Sequence, residues 1–276
     1  MPEGPEIRRA ADRLNQAIRG RPLEHVYLPL ASLRRYGSKI RDATIEAFTP
    51  HGKALLTHFN NGLTLYSHNQ LYGVWETARF GDPYIKGRQL RLEFGTAGQV
   101  VRLYSATDIK FWKTNLLKHH PFLIKLGPDI LDPTLSRGRI SEGCLEPRFR
   151  NQTLGVLLLN QAFLAGLGNY LRTEVLFVSK LDPDWRPSQL SVDQRFQLAD
   201  AALSLSRQSY DTGGITLDLN RAERLRTSGA IFEDHRFWVF DRSGLPCYRC
   251  ATSIAIRSFG GRRLYYCPSC QPKPSI

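Results

Sequence analysis

The chain has 276 residues, with 38 Lys and Arg against 25 Asp and Glu and a formal charge of +13. Domains typically take roughly 100 to 200 residues, so this length predicts two domains, or two plus a small module. The charge favours a polyanionic partner, nucleic acid foremost, through counterion release and electrostatic steering; a basic soluble enzyme is the plainer alternative, because the charge is spread along the chain. No apolar run approaches the ~20 residues of a membrane span, and the start lacks the basic-then-apolar order of a signal peptide. The expectation is a cytosolic protein with reduced thiols.

Residues 5 to 19 read as one amphipathic helix. Pro5 suits its first turn, Glu6 suits the positive end of its dipole, and Ile7, Ala11, Leu14 and Ile18 share a face that Gly20 can end. From about 45 to 105 the text changes to short alternating stretches, "ALLTHF", "LTLYSH", "LRLEF" and "VVRLYS", separated by Gly and Asn. That is the pattern of antiparallel strands and predicts a β-sandwich or barrel. "LGPDILDPTLSRGRISEG" has little periodicity and reads as a connection between domains. After it, "TLGVLLLNQAFLAGLGNYLRTEVLFVSKL" reads as helix, glycine-rich turn, helix. A further helix runs through "SVDQRFQLADAALSLSRQS", where Ser191 and Gln194 have capping-box spacing.

The last forty residues return to β-like text around cysteines. Cys247 and Cys250, then Cys267 and Cys270, form two knuckles separated by enough chain for a hairpin. Four thiolates at this spacing suit tetrahedral zinc, closed to water and therefore structural. Two disulfides are the competing reading, which the absence of a secretory signal disfavours. Cys144 is left over and reads as an inert thiol. Between the knuckles, the Gly260-Gly261 turn would push Arg262 and Arg263 outward, as a phosphate or minor-groove probe or simply as a solvated loop.

The start, "MPEGPE", has its own chemistry. Methionine before proline is usually removed, which would leave Pro2 with a free secondary amine. An α-amino group has a pKa of about 8 against about 10.4 for lysine, so it is the readier nucleophile at neutral pH. Attack on a sugar aldehyde carbon gives a cationic iminium that drives elimination, with Glu3 placed as proton donor and Glu6 one turn away to orient or relay. The plainer reading is a pair of first-turn glutamates that cap a helix.

Taken in order, "MPEGPE", "GKALLTHF", "YSHNQLYGVW", "HPFL" with "GPDILDP", "QAFLAGLGNYLR" and the cysteine hairpin resemble the formamidopyrimidine-DNA glycosylase and endonuclease VIII family, and most closely its endonuclease VIII branch. The resemblance implies an α+β fold: an N-terminal antiparallel β-sandwich with flanking helices over 1–132, a helix-two-turn-helix domain over 133–230 and a four-cysteine zinc-finger hairpin over 237–271. It implies a monomeric, bacterial-type cytoplasmic enzyme that acts on double-stranded DNA, excising oxidised pyrimidines and cleaving abasic sites by β,δ-elimination. Pro2 would form the Schiff base, Glu3 would donate the proton, and Lys53 and Arg262 would assist β- and δ-elimination. Gln70, Leu71 and Tyr72 would fill the gap left by a flipped nucleotide. Asn169, at a helix start, and Lys125 would contact phosphate. Lysine at 125 stands where the branch carries arginine, keeping the charge without the bidentate geometry.

Two stretches depart from the pattern: "GGITL" is closer to the purine-acting branch, and "SATDIKFWK" matches neither. Excision of oxidised purines such as 8-oxoguanine is therefore the enzymatic alternative. A non-catalytic zinc-ribbon protein that binds damaged DNA would satisfy the composition and the cysteines alone.

Overall fold

The computed structural model describes residues 2–274. The chain divides into two compact units, 1–125 and 126–276.

The first unit opens with α1 (Gly4–Ile18), whose apolar face buries Ile7, Ala11, Leu14 and Ile18 as its spacing predicts. A short strand β1 (His25–Tyr27) and two single-turn helices, α2 (Ala31–Arg34) and α3 (Gly37–Ile40), follow. Then come β2 (Ile45–His51), β3 (Ala54–Phe59), β4 (Leu63–His68), β5 (Val74–Arg79), β6 (Leu90–Thr96), β7 (Gln99–Tyr104) and β8 (Asp108–Lys113). They form two four-stranded antiparallel sheets, ordered β1-β6-β7-β5 and β2-β3-β4-β8. Leu55, Phe59, Leu65 and Phe111 of one sheet meet Trp75, Phe94, Val101 and Leu103 of the other, and the buried stripe of α1 joins the same core. The expected sandwich is present. Burial of so many large apolar side chains, each worth about 1.5–3 kcal/mol, is what holds two sheets and a helix together.

The strands alternate less cleanly than half-buried strands should. In β3 the first four residues are all buried, because the outer face of its sheet is covered too. Ala54, Leu56 and Tyr66 pack there beneath Trp112, Phe122 and Leu123. The covering segment consists of 3-10 turns over Thr114–His119 and Leu123–Lys125. Its buried His120 stacks on Tyr66, with ring centroids 4.2 Å apart, and accepts the Phe122 amide at Nδ1 at 3.2 Å. The "HPFL" stretch is thus a turn anchored by its own imidazole.

The second unit holds α4 (Arg137–Gly143), α5 (Leu154–Leu157), α6 (Asn169–Val178), α7 (Val192–Asp211), α8 (Leu219–Thr227), β9 (Ala255–Phe259) and β10 (Arg262–Tyr266). The boundary expected at 132 lies inside this unit. The Gly127 amide reaches the Gln161 carbonyl, and the Ile130 amide reaches that of Ala165, at 2.9 and 3.0 Å. Those bonds fasten the Gly/Pro-rich stretch to the turns between α5 and α6. The first of the two predicted helices is only the single turn of α5. The chain then folds into tight turns stitched by Gln161, whose side chain donates to the Leu159 and Leu167 carbonyls and accepts from the Gly166 amide. Ser191 caps α7 as its spacing predicts, with the reciprocal Ser191 and Gln194 bonds at 3.2 and 2.9 Å. The helix α8, in a stretch where no element was predicted, is capped by Asp218, which accepts the Arg221 amide at 2.9 Å. The helices and the cysteine hairpin lie in this second compact unit. No described helix is long and apolar enough to cross a membrane.

Candidate active site and nucleic-acid interface

In the first unit the chemistry gathers at the head of α1. Glu3, 3% exposed, is the N-cap, with φ −109° and an extended backbone. Its amide donates to Glu6 Oε2 at 2.9 Å, one half of a capping box, and Arg9 binds the other Glu6 oxygen at 3.2 Å. An acidic N3 residue that accepts the N-cap amide satisfies a helix-end donor that would otherwise lack a partner. Glu6 therefore holds the peptide that joins Pro2 to Glu3. Pro2 itself is half-buried.

Lys53 lies in the two-residue turn between β2 and β3, the strands against which α1 packs. It is 8% exposed, and a lysine is almost never fully buried unless it is paired. The neighbouring strand brings His68 opposite Ala54. The His68 imidazole is pushed below its ordinary 6.5 by burial first, with the Lys53 charge acting in the same direction and Asp108 opposing it.

The chain after β4 makes a narrow loop. The Gly73 amide returns to the Asn69 carbonyl at 2.7 Å, and a Cβ on Gly73 would sit 2.6 Å from Asn69 backbone atoms, so only glycine closes it. Arg88 binds the Tyr72 carbonyl at 2.6 Å. Held this way, Leu71 and Tyr72 are 55% and 69% exposed. Two large apolar side chains on a short rigid loop are the form an inserting wedge takes. Lys125, the last residue of this unit, is exposed at the end of the second 3-10 turn.

In the second unit Asn169 is the first residue of α6. Its Nδ2 donates to the Arg263 carbonyl at 2.9 Å, and its Oδ1 accepts from Arg172 at 2.5 Å. Arg172 is fully buried and also binds the Gly155, Phe259 and Arg263 carbonyls. One guanidinium thus ties the head of α6 to both strands of the cysteine hairpin. Gly260 and Gly261 have φ of 57° and 71°, the paired positive values of a two-residue I′ turn. Arg262 and Arg263 are exposed beside it, as expected. Glu174, also fully buried, accepts the Trp238, Val239 and Phe240 amides at 2.7–2.9 Å and the Thr216 hydroxyl at 2.7 Å. Arg172 and Glu174 were not singled out from the sequence; their signal is two charges inside the apolar run "YLRTEVLFV".

The Sγ atoms of Cys247, Cys250, Cys267 and Cys270 lie within 4.8 Å of one another. The close pairs are 3.4, 3.5 and 3.9 Å apart, and none of the four is in a disulfide. Tetrahedral bonds of about 2.3 Å put sulfurs about 3.8 Å apart, so the cluster has the dimensions to hold one metal ion. The Arg249 and Cys270 amides point at the Cys247 and Cys267 sulfurs at 3.4 and 3.5 Å, which stabilises thiolate charge. Cys144 is remote from them in the helical core, fully buried, its thiol pushed up to about 12 by burial.

Residues 1–109 match the family model for the formamidopyrimidine-DNA glycosylase N-terminal domain. Endonuclease 8 of Escherichia coli and that of Shigella sonnei are each 46% identical to this chain over 98% of it and 100% of their own length. Among solved structures, Lactococcus lactis formamidopyrimidine-DNA glycosylase bound to abasic-site DNA is similar at a TM-score of 0.79, with 21% identity over 98% of this chain and 99% of that one. The same enzyme bound to DNA with an oxidised pyrimidine gives 0.81 at 22% identity over the same shares. The chain belongs to the endonuclease VIII and formamidopyrimidine-DNA glycosylase family, whose members are DNA glycosylases and abasic-site lyases.

Proposed function

We propose that the chain is a bifunctional enzyme of base excision repair that removes oxidised pyrimidines from duplex DNA and cleaves the resulting abasic site by β,δ-elimination. The observation that carries this reading is the head of α1, where half-buried Pro2 precedes a buried Glu3 whose amide is held by Glu6. With Met1 removed, Pro2 presents a secondary amine of pKa about 8. Its nitrogen displaces the base at C1′ of the flipped nucleotide, the base leaving with a proton managed by Glu3, and the C1′–O4′ bond then opens, with O4′ taking a proton, to leave a ring-opened C1′ iminium. Loss of a C2′ proton then expels the 3′ phosphate, assisted by Lys53, and a second elimination assisted by Arg262 expels the 5′ phosphate. The product is a one-nucleotide gap with phosphate at both ends. Similarity along the whole chain to proteins named endonuclease 8 supports the choice of pyrimidines.

DNA is held by the remaining residues. Gln70, Leu71 and Tyr72 enter the stack as the lesion leaves, which offsets part of the few kcal/mol that flipping costs. Lys125, Arg262 and the head of α6 take phosphates. Asn169 has given one Nδ2 hydrogen to the hairpin, so its second and the first amides of α6 serve the DNA. The two units act as a β-sandwich catalytic domain and a helix-two-turn-helix domain with a zinc finger, working as a monomer in the bacterial cytoplasm. Zinc is the metal that four thiolates at this spacing fit, and Cys247, Cys250, Cys267 and Cys270 would hold it. Its part is structural, fixing the hairpin that carries Arg262.

Borohydride trapping on a thymine glycol duplex, with mass spectrometry of the cross-linked peptide, tests the proposal. The expected adduct is on Pro2. Trapping only with 8-oxoguanine or a bare abasic site would keep the amine chemistry and move the enzyme to the purine-acting reading. Duplex binding without any adduct would leave a non-catalytic damage-binding protein.

A further inference from the structure

Gln70 has φ 50°, in the left-handed region that asks for glycine or asparagine. A glutamine kept in that conformation is strained unless its surroundings hold it, and such outliers gather where a side chain has work to do. Two residues hold it. The backbone amide of Gln70 donates to His68 Nδ1 at 3.0 Å, and the Thr107 hydroxyl bonds the Gln70 side-chain oxygen. The first bond fixes the peptide and the second fixes the amide. They come from different strands, the end of β4 and the approach to β8, and His68 and Asp108 face each other across that pair. Phe122 packs edge-on against the His68 ring at 5.5 Å, which limits its rotation.

We infer that His68 and Thr107 form a clamp that presets Gln70 for insertion opposite the flipped nucleotide, making both positioning residues for action on duplex DNA. The inference rests on the reading above, in which the loop enters the stack. A side chain ordered before binding loses less conformational freedom on insertion, and a fixed amide meets the orphaned base in one orientation. Without the clamp, Gln70 relaxes out of the left-handed region while Leu71 and Tyr72 stay held by the Gly73 and Arg88 bonds. Single-stranded DNA has no stack to enter, so the clamp matters there much less.

The test compares wild type with His68→Leu, His68→Asn, Thr107→Val and Thr107→Ser. The rates are single-turnover excision from a thymine glycol duplex and scission of an abasic site in a single-stranded oligonucleotide. Fluorescence of 2-aminopurine opposite the lesion reports insertion. His68→Leu and Thr107→Val are expected to lower the duplex-to-single-strand rate ratio about five- to tenfold, the worth of one hydrogen bond, and to blunt the 2-aminopurine change. Asparagine places an oxygen where Nδ1 was and serine keeps the hydroxyl, so both conservative variants are expected to restore ratio and signal. Thr107 is exposed, so its variants keep the test valid if His68→Leu folds poorly. A wild-type ratio in Thr107→Val, or a ratio in His68→Asn as low as in His68→Leu, overturns the clamp while leaving the function intact. A wild-type chain that cuts neither substrate overturns the functional reading and the clamp with it.

Discussion

Replacing Glu174 with alanine isolates what joins α6 to the approach of the cysteine module. The carboxylate accepts the amides of three successive residues, Trp238, Val239 and Phe240, and the Thr216 hydroxyl. In Glu174→Ala the hydroxyl can turn to the Arg236 carbonyl, 3.4 Å away, but the three amides have no second acceptor among the described residues. A buried donor left without a partner costs about 1–3 kcal/mol. Removing a buried carboxylate returns several kcal/mol of desolvation, so the expected net loss is about 3–5 kcal/mol, a large part of a stability near 5–15 kcal/mol. The damage should spread to the first knuckle, because Arg242 bridges the Trp238 and Pro246 carbonyls at 2.5 and 3.0 Å, immediately before Cys247. Hydrogen exchange of residues 238–240, read beside urea unfolding of the same sample, measures the effect in the second unit alone. Glu174→Gln keeps one acceptor oxygen and turns an N–H₂ toward another donor, so it should fall between the two. Protection at 238–240 equal to wild type in Glu174→Ala, with under about 1 kcal/mol lost, would refute the assignment of Glu174 as the acceptor that holds this segment.

The first unit should lose stability as the pH falls below about 6.5, because His58, His68 and His120 are all pushed below that value by burial. The fold favours their neutral forms, so the contribution is complete above the unfolded value and disappears as each imidazole is forced to protonate. A urea midpoint that is flat from pH 7 to 5, above the range of ordinary carboxylates, would contradict this. Of the five cysteines, none should react with a thiol reagent in the metal-loaded protein, four should react after chelation, and Cys144 only after unfolding. A fifth thiol reacting before unfolding would show the helical core to be open at that point. Chelation should also weaken duplex binding far more than it slows imine formation at an abasic site, as a titration by anisotropy beside borohydride trapping will show; equal losses would give the metal a part in the amine chemistry.

What could be read from sequence was whatever is decided within a few residues. The stripe of α1, the Ser191 and Gln194 box, the strand alternation after 45 and the two-glycine turn at 260 each depend on neighbours and each stands where it was expected. The three-residue strand β1 and the capped helix α8 were missed for opposite reasons. The first is too short to show a period, and the second is a nine-residue helix between glycines with a single buried residue, Ala222, and so no apolar stripe to mark it. The candidate site divides the same way. Glu3 could be singled out locally, as a carboxylate next to Pro2, whereas Leu71 was reached only through the family resemblance. The residues that fix the recognition elements could not, because their partners are far along the chain: Thr107 is 37 residues from Gln70, Glu174 is 64 to 66 from the amides it gathers, and Arg172 is 91 from the Arg263 carbonyl. A charge inside an apolar helix can signal that a partner must exist, since an uncompensated one would be expelled, but it cannot say where that partner lies. In this chain those distant partners turn a local motif into a positioned one, which is why the clamp at Gln70 and the tie at Arg172 emerge only once the strands and helices have been brought together.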